Sequence, residues 1–166
     1  HNRYFFGSEV NIQSVRACRE QLTIWSRMDP KCEIEIVFDS PGGDLVEGLA
    51  MFDSIRDLIT GGHKVTTVVL GMAASMAAIV LQAGSVRVMG RESWMLVHET
   101  SAVTLGKVFE LEDQVEWAKK IQHRLLAILA ERSPLTPTEI EERWKRKDWW
   151  ITSDEALEFG FVDEVR

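Results

Sequence analysis

A serine and a histidine occupy positions in this sequence where acyl-transfer chemistry could take place. Ser75 follows a β-branched strand pattern and begins an otherwise apolar helical stretch. At a helix N-terminus, free N–H groups and the positive end of the helix dipole favour a developing oxyanion. Serine is also a preferred helix N-cap, so a purely structural cap is the alternative interpretation. The position makes Ser75 a candidate nucleophile.

His98 is the one histidine of four that directly follows an apolar strand pattern. This position makes it the candidate general base, although a lone histidine at a strand end can also be structural. An acidic residue would fix the tautomer of the imidazole and stabilise its charged form. Asp148 is the candidate for that role, one among 26 acidic residues of which most are expected at the solvated surface.

The loop DSPGGD at residues 39–44 is a third candidate site. Two glycines between a strand and a helix let the backbone approach a ligand closely and turn its N–H groups toward it. An ordinary strand-to-helix turn is the alternative. The sequence contains neither G-x-x-x-x-G-K-[ST] nor G-x-G-x-x-G, which disfavours nucleotide binding.

The elements that must position these residues alternate between strands and helices, which predicts an α/β fold in a single domain. The predicted strands are residues 4–6, 33–38, 65–70, 86–89, 94–97 and 161–165. The predicted helices are residues 10–25, 44–60, a helix that starts at Ser75, 107–132, 136–144 and 153–159. Gly71 is expected to separate the third strand from the Ser75 helix, and residues 148–150 are expected to connect two elements.

Composition and charge exclude several classes of function. The chain has 166 residues, is 45% hydrophobic and carries a net charge of −7 without a long Lys/Arg run, so we expect no nucleic-acid or membrane partner. Cys18 and Cys32 lack metal-ligand spacing, and we expect no metal or organic cofactor. The longest apolar stretch, residues 72–81, is too short to span a bilayer, and no signal peptide is visible. We expect a cytoplasmic enzyme.

Several motifs come in the order found in the ClpP-type serine peptidases, and the resemblance covers nearly the whole chain. They are DSPGG at residues 39–43, GMAASM at 71–76, MLVH at 95–98 and KDWWITSDEALEFGFVD at 147–163. The resemblance implies Ser75 as nucleophile, His98 as general base and Asp148 as the acid that orients it. It also implies an oxyanion hole formed by the backbone N–H groups of Gly43 and Met76, which agrees with a glycine that admits close backbone approach.

The resemblance also implies an architecture and an assembly. The fold would be the spiral of strand-strand-helix units shared with the crotonases, and subunits would form homo-oligomeric rings around a chamber that receives peptides or unfolded proteins. The helix at residues 107–132 would help to join subunits. Residues 99–106 lack the Gln-Pro usual after the histidine and have fewer glycines than usual. We therefore expect ring pairing and the binding of an extended substrate to differ there.

A partner ATPase is not expected. The family has a segment ahead of the first strand that meets the ATPase, whereas this sequence starts almost at that strand. Glu35 and Asp57 stand where the family's docking cleft has aromatic residues, and charges contact a hydrophobic docking loop poorly. A virus-encoded or prophage-encoded relative that acts in capsid maturation is one way to be such a peptidase without an ATPase.

Two other functions stay open on the sequence. A crotonase-like enzyme would use paired peptide N–H groups to stabilise an acyl-CoA enolate and would need no serine nucleophile. A non-catalytic structural subunit of a peptidase ring would keep the fold with a damaged triad. The presence of Ser75, His98 and Asp148 together favours the serine endopeptidase over both.

Overall fold

A computed structural model describes residues 2–101 and 105–166. Its elements, in chain order, are β1 (Asn2–Phe6), α1 (Ile12–Met28), β2 (Glu33–Ser40), α2 (Leu45–Thr60), β3 (Lys64–Ala74), α3 (Met76–Leu81), β4 (Val86–Met89), β5 (Trp94–Val97), α4 (Val108–Ala130), α5 (Pro137–Trp144), β6 (Trp149–Thr152), α6 (Ser153–Glu158) and β7 (Glu164–Val165). Residues 102–104, which belong to the segment at 99–106 that departs from the family pattern, lie outside the described residues.

Strand β3 organises the sheet because it pairs with two different neighbours. Strands β1, β2, β3, β4 and β7 lie side by side in that order and are parallel. The first part of β3, residues 66–69, pairs with β4, and its last part, residues 72–74, pairs with β5. Strand β6 then adds to β5 in the antiparallel sense. This mostly parallel sheet with its helices confirms the predicted α/β class and the ClpP-like fold.

Gly71 does not end β3, contrary to the sequence prediction. The strand continues to Ala74, and Gly71 lies within it with φ +100°, a conformation that L-residues rarely adopt. A side chain at this position would collide with the Asp39 carboxylate, which accepts a hydrogen bond from the Met72 N–H at 3.1 Å. Gly71 therefore allows β3 to turn away from β4 and toward β5. The strand continues through Gly-Met-Ala-Ala, although these residues have weak strand preference, because pairing with β5 outweighs that preference.

Other element boundaries also differ from prediction. Residues 149–152 form β6, where only a connection was predicted, and the last strand is limited to two residues. Helix α1 begins at Ile12 rather than at residue 10, because the Asn11 side chain caps it by accepting the N–H groups of Gln13 and Ser14. Helices α2, α4 and α5 and strand β5 lie within two residues of their predicted bounds.

The hydrophobic core lies beneath the site residues. All six residues of α3 are buried, and α1 and α2 cover the same side of the sheet with Val15, Cys18 and Met51. Helix α4 contributes Leu125, Leu126 and Leu129 from its C-terminal half. Within the described residues, no helix combines the length and the apolar character that crossing a membrane requires.

Candidate active site

Ser75 lies in a tight turn between β3 and α3. Its backbone has φ 54° and ψ −121°, a combination that is costly for a non-glycine residue and that clusters at functional sites. The turn is held by two hydrogen bonds, from the Ser75 N–H to the Leu96 carbonyl (2.8 Å) and from the Ala78 N–H to the Ser75 carbonyl (3.0 Å). The Ser75 side chain makes no capping hydrogen bond, so its hydroxyl is free for another partner.

That partner is His98, which stands directly after β5. The Ser75 Oγ lies 2.8 Å from His98 Nε2, and His98 Nδ1 lies 2.5 Å from the Glu99 backbone carbonyl. A carbonyl can only accept, so Nδ1 carries the proton and Nε2 is left as the acceptor of the Ser75 hydroxyl proton. The neutral imidazole therefore has the tautomer that a general base for a serine nucleophile requires.

Asp148 lies close to His98 without bonding to it. In the antiparallel pairing of β5 with β6, Val97 faces Trp149, so the register places His98 opposite Asp148 just beyond the last pair. Both residues line one surface hollow with Glu99. Among the described residues there is no hydrogen bond between Asp148 and His98, and the Glu99 carbonyl occupies Nδ1 instead. The Glu99 carboxylate accepts the N–H of Arg146, which ties the segment before Asp148 to the histidine loop.

Gly43 and Met76, the two residues predicted to supply the N–H groups of an oxyanion hole, both line the cavity that contains Ser75. The N–H of Met76 is the first of α3 and has no acceptor within that helix. Gly43 pairs with Val10 in an isolated β-bridge. The hydrogen bonds of this bridge run from the Val10 N–H to the Gly42 carbonyl and from the Asp44 N–H to the Val10 carbonyl, so the Gly43 N–H takes no part in it. Both Gly43 and Met76 line the same cavity as Ser75 and His98.

Gly42, rather than Gly43 alone, determines how closely this loop approaches the nucleophile. It has φ +89°, and a Cβ there would lie 2.5 Å from the Ala74 carbonyl oxygen, 2.8 Å from Ser75 Cβ and 2.9 Å from the Met76 nitrogen. Only glycine fits against this turn. No separate role for Gly42 was predicted from the sequence, although the Pro-Gly-Gly run was the signal from which it could have been found.

The chain as a whole is similar in sequence to known peptidase subunits. The family model described as Clp protease matches residues 1–166. The chain belongs to the Clp protease family. It is 31% identical to the ATP-dependent Clp protease proteolytic subunit of Bacteroides thetaiotaomicron over 97% of this chain and 72% of the relative. It is 34% identical to the ATP-dependent Clp protease proteolytic subunit 2 of Tropheryma whipplei over 98% of this chain and 89% of the relative.

The Clp family chain has a small pocket with both polar and apolar walls beside the Ser75–His98 pair. Its volume is about 90 Å³. The lining residues come from the nucleophile turn, the histidine loop and helices α2, α3, α4 and α5: Gly43, Leu45, Ser75, Met76, Ile79, Val97, His98, Glu99, Thr100, Ser101, Leu125 and Trp144. Three of these residues, Thr100, Leu125 and Trp144, were not predicted from the sequence to lie at the site. No pattern marked them, because helix packing alone brings them there.

Two ion clusters of this Clp family member lie away from the pocket. Buried Arg87 contacts the Asp163 carboxylate at 2.6 Å, and Arg132 contacts the same carboxylate at 2.7 Å. Burial raises the pKa of Asp163, but the hydrogen bonds and charges of Arg87 and Arg132 outweigh it and lower the pKa below its usual value. On β2, Glu35 is paired with Arg3 at 2.7 Å and with Arg166 at 3.6 Å.

The two cysteines play no visible part in the site. Both are free and buried. Burial raises the pKa of the Cys18 thiol to about 12, which keeps it protonated and unreactive. No group of three or more His, Cys, Asp and Glu residues arranged to hold a metal ion was found in residues 2–101 and 105–166.

Proposed function

We propose that this Clp family chain is a serine endopeptidase that cleaves peptide bonds through an acyl-enzyme on Ser75. The observation that carries the proposal is the Ser75–His98 contact, 2.8 Å long, with the His98 tautomer set by the Glu99 carbonyl. The strained turn that presents Ser75 supports it, because strain of this kind is retained where it serves function.

In the first half of the proposed reaction, the Ser75 hydroxyl attacks the carbonyl of the substrate while His98 Nε2 takes its proton. The N–H groups of Gly43 and Met76 donate to the oxyanion of the tetrahedral intermediate. Each such donor contributes about 10² to 10³ in rate in serine peptidases. His98 then returns the proton to the leaving amine, and the acyl group stays on Ser75.

In the second half, His98 activates a water that hydrolyses the acyl-enzyme through the same oxyanion hole. Asp148 stabilises the imidazolium that forms in each half. Its register position opposite His98 and their shared hollow support this role. The Glu99 carbonyl already sets the tautomer, so the contribution of Asp148 is chiefly electrostatic.

The proposal extends to an assembly. The chain would act as a homo-oligomeric ring on peptide or unfolded protein substrates, and we place it in the cytoplasm. Helix α4 supports this, because its N-terminal half exposes Val108, Phe109 and Trp117 at 68%, 79% and 53%. These exposed apolar side chains are candidates for contacts between subunits. The particle is expected to have a mass many times that of the 18.9 kDa chain, and a monomer would refute the ring.

Independence from a partner ATPase stays a prediction. The curated relatives are named as ATP-dependent. On this chain, Glu35 forms an ion cluster with Arg3 and Arg166, and Asp57 is exposed, so polar groups occupy the positions expected to be aromatic for docking. The prediction would be refuted if a Clp ATPase, mixed with the purified protein, stimulated its degradation of a folded substrate.

The test of the catalytic proposal is covalent labelling by a fluorophosphonate probe, which reacts with activated serines. We expect wild-type protein to be labelled and the Ser75→Ala variant to lose both labelling and peptide hydrolysis by several orders of magnitude. Ser26→Ala is the matched control, because Ser26 is a half-buried serine on α1 with only a local hydrogen bond.

The same experiment separates the alternative functions. A crotonase-like enzyme or a non-catalytic subunit would be well folded and would unfold cooperatively. The fluorophosphonate probe would nevertheless leave it unlabelled, and its mass would not change after exposure to the probe. Labelling that persists in Ser75→Ala would assign the reactive hydroxyl to another residue. Either result would overturn the proposal.

A further inference from the structure

The loop that follows His98 is bonded to the segment that leads to Asp148. The carboxylate of Glu99 accepts a hydrogen bond from the backbone N–H of Arg146, two residues before Asp148. Glu99 is half-buried, and it lines one surface hollow together with His98, Arg146, Lys147 and Asp148. Residues 47 positions apart in the chain are thereby joined beside the general base.

The backbone at Arg146 explains why its N–H bonds to a residue from another segment. Helix α5 ends at Trp144, and the next turn is closed by a hydrogen bond of 3.0 Å from the Lys147 N–H to the Trp144 carbonyl. Arg146 itself has φ 57°, a left-handed conformation that few non-glycine residues adopt. A carboxylate that accepts from a backbone N–H makes a charge-assisted hydrogen bond, which is stronger than a neutral one. Glu99 thus holds the turn that leads to Asp148.

A second link ties the same loop to helices α4 and α5. The backbone N–H of Thr100 donates to Gln122 Oε1 at 3.3 Å, and Gln122 Nε2 donates to the Glu141 carboxylate at 3.0 Å. Gln122 lies on α4, and Glu141 lies on α5. This link does not depend on the Glu99 side chain. A substitution at Glu99 should therefore move the neighbouring turn rather than detach the histidine loop.

We propose that Glu99 is a positioning residue of the active site, whose carboxylate holds Asp148 at its working distance from His98. The inference deepens the proposed peptidase function and rests on it. Among the described residues, Asp148 has no hydrogen bond to His98, whose Nδ1 is bonded to the Glu99 carbonyl. The stabilisation that Asp148 offers the imidazolium then depends on the distance between the two charges. The bond between Glu99 and Arg146 limits that distance.

A negative charge beside His98 is the alternative role for this carboxylate, and two conservative substitutions separate reach from charge. Glu99→Gln keeps the length of the side chain and an oxygen that can accept from the Arg146 N–H, but it removes the charge. Glu99→Asp keeps the charge and draws the acceptor back by one methylene. If Glu99 acts by position, Glu99→Asp is the damaging change. If it acts by charge, Glu99→Gln is.

The test measures the second-order rate constant with which a small fluorophosphonate labels Ser75. We expect Glu99→Gln to react within about threefold of the wild-type rate and Glu99→Asp at about one tenth of it, because displacement of a catalytic group lowers the rate steeply. Glu92→Ala is the matched control and should react at the wild-type rate, since Glu92 is exposed in the turn at the other end of β5. Thermal melts of all variants should lie within about 4 °C of wild type, the shift expected from one hydrogen bond.

A double-mutant cycle shows whether Glu99 acts through Asp148. In the Asp148→Asn background no carboxylate is left to be positioned, so adding Glu99→Asp should lower the labelling rate by less than about twofold. A merely structural effect of Glu99 would be independent of Asp148. It would then give the same loss of about tenfold in both backgrounds.

The outcomes are distinct for the two proposals. If the fluorophosphonate fails to label Ser75 in the wild-type protein, the peptidase function itself is wrong. If Ser75 is labelled, the peptidase stands, and the positioning role is refuted by equal rates in Glu99→Gln and Glu99→Asp or by a greater loss in Glu99→Gln. It is also refuted by an undiminished effect of Glu99→Asp in the Asp148→Asn background. If Glu99→Asp does not fold, Glu99→Ala, which also lacks an acceptor for the Arg146 N–H, replaces it in the same comparisons.

Discussion

Replacing Gly42 by alanine should damage the nucleophile turn directly. The new Cβ would lie 2.5 Å from the Ala74 carbonyl oxygen, whereas ordinary contact begins at 3.4 Å, so the two backbones must separate by about 0.9 Å. This oxygen and the Met76 nitrogen, 2.9 Å from the new Cβ, are both backbone atoms, which cannot rotate away as a flexible side chain can. A displacement of about 1 Å in a catalytic constellation costs on the order of 10²-fold in rate. The φ of +89° adds strain for any L-residue.

We therefore expect Gly42→Ala to reduce the rate of fluorophosphonate labelling about 100-fold and to lower the free energy of unfolding by about 3 kcal/mol. The assay compares labelling time courses and thermal melts of freshly purified proteins. Gly7→Ala is the matched control, since a Cβ at Gly7 would have no atom within 4 Å. A Gly42→Ala protein with wild-type labelling and wild-type stability would refute the argument that this loop is pressed against the turn.

Two further substitutions test the charged groups. Asp148→Asn should lower the labelling rate about 100-fold. The loss is about 10⁴-fold in serine peptidases whose acid also sets the histidine tautomer, but here the Glu99 carbonyl already accepts from Nδ1 of His98. The control Asp154→Asn, at an exposed position, should have no effect, and an unchanged rate in Asp148→Asn would exclude the proposed role of Asp148. Asp163→Asn should cost about 2 kcal/mol of stability at pH 7, because it leaves buried Arg87 without its countercharge. The pKa of Asp163 is lowered in the folded state, so this contribution is complete above the usual pKa near 3.8 and is lost as pH falls through the folded value. Denaturant titrations should thus show a smaller difference between wild type and Asp163→Asn at pH 3 than at pH 7, and an equal difference would contradict the linkage.

Local sequence patterns predicted the elements whose signals are strong. Helix α5 begins where the Thr136 capping box predicts, since Thr136 accepts the N–H of Glu139 and Pro137 fits the first turn. Strand β5 has the predicted bounds because it is a short apolar run between turn residues. Strand β6 was missed because four residues that begin with two tryptophans show no clean alternation, and only pairing with β5 makes them a strand.

The sequence indicated candidate residues for the site but not the geometry that relates them. A capping serine and a strained nucleophile turn look alike in sequence, and only the backbone angles of Ser75 separate them. The role of the Glu99 carbonyl has no sequence signal, because every residue has a carbonyl. Trp144 and Thr100 come from segments far apart in the chain, and their position at the pocket is a property of three-dimensional packing.

The divided pairing of β3 has a mechanical consequence. Ser75 directly follows β3 and His98 directly follows β5, and the hydrogen bond from the Ser75 N–H to the Leu96 carbonyl joins the two strand ends. Ser75 and His98 are thus both anchored at the ends of two paired strands. Asp148 is carried by the next strand, and the walls of the pocket come from helices α4 and α5. Motions of those outer parts can change substrate fit and charge stabilisation while the distance between Ser75 and His98 stays fixed.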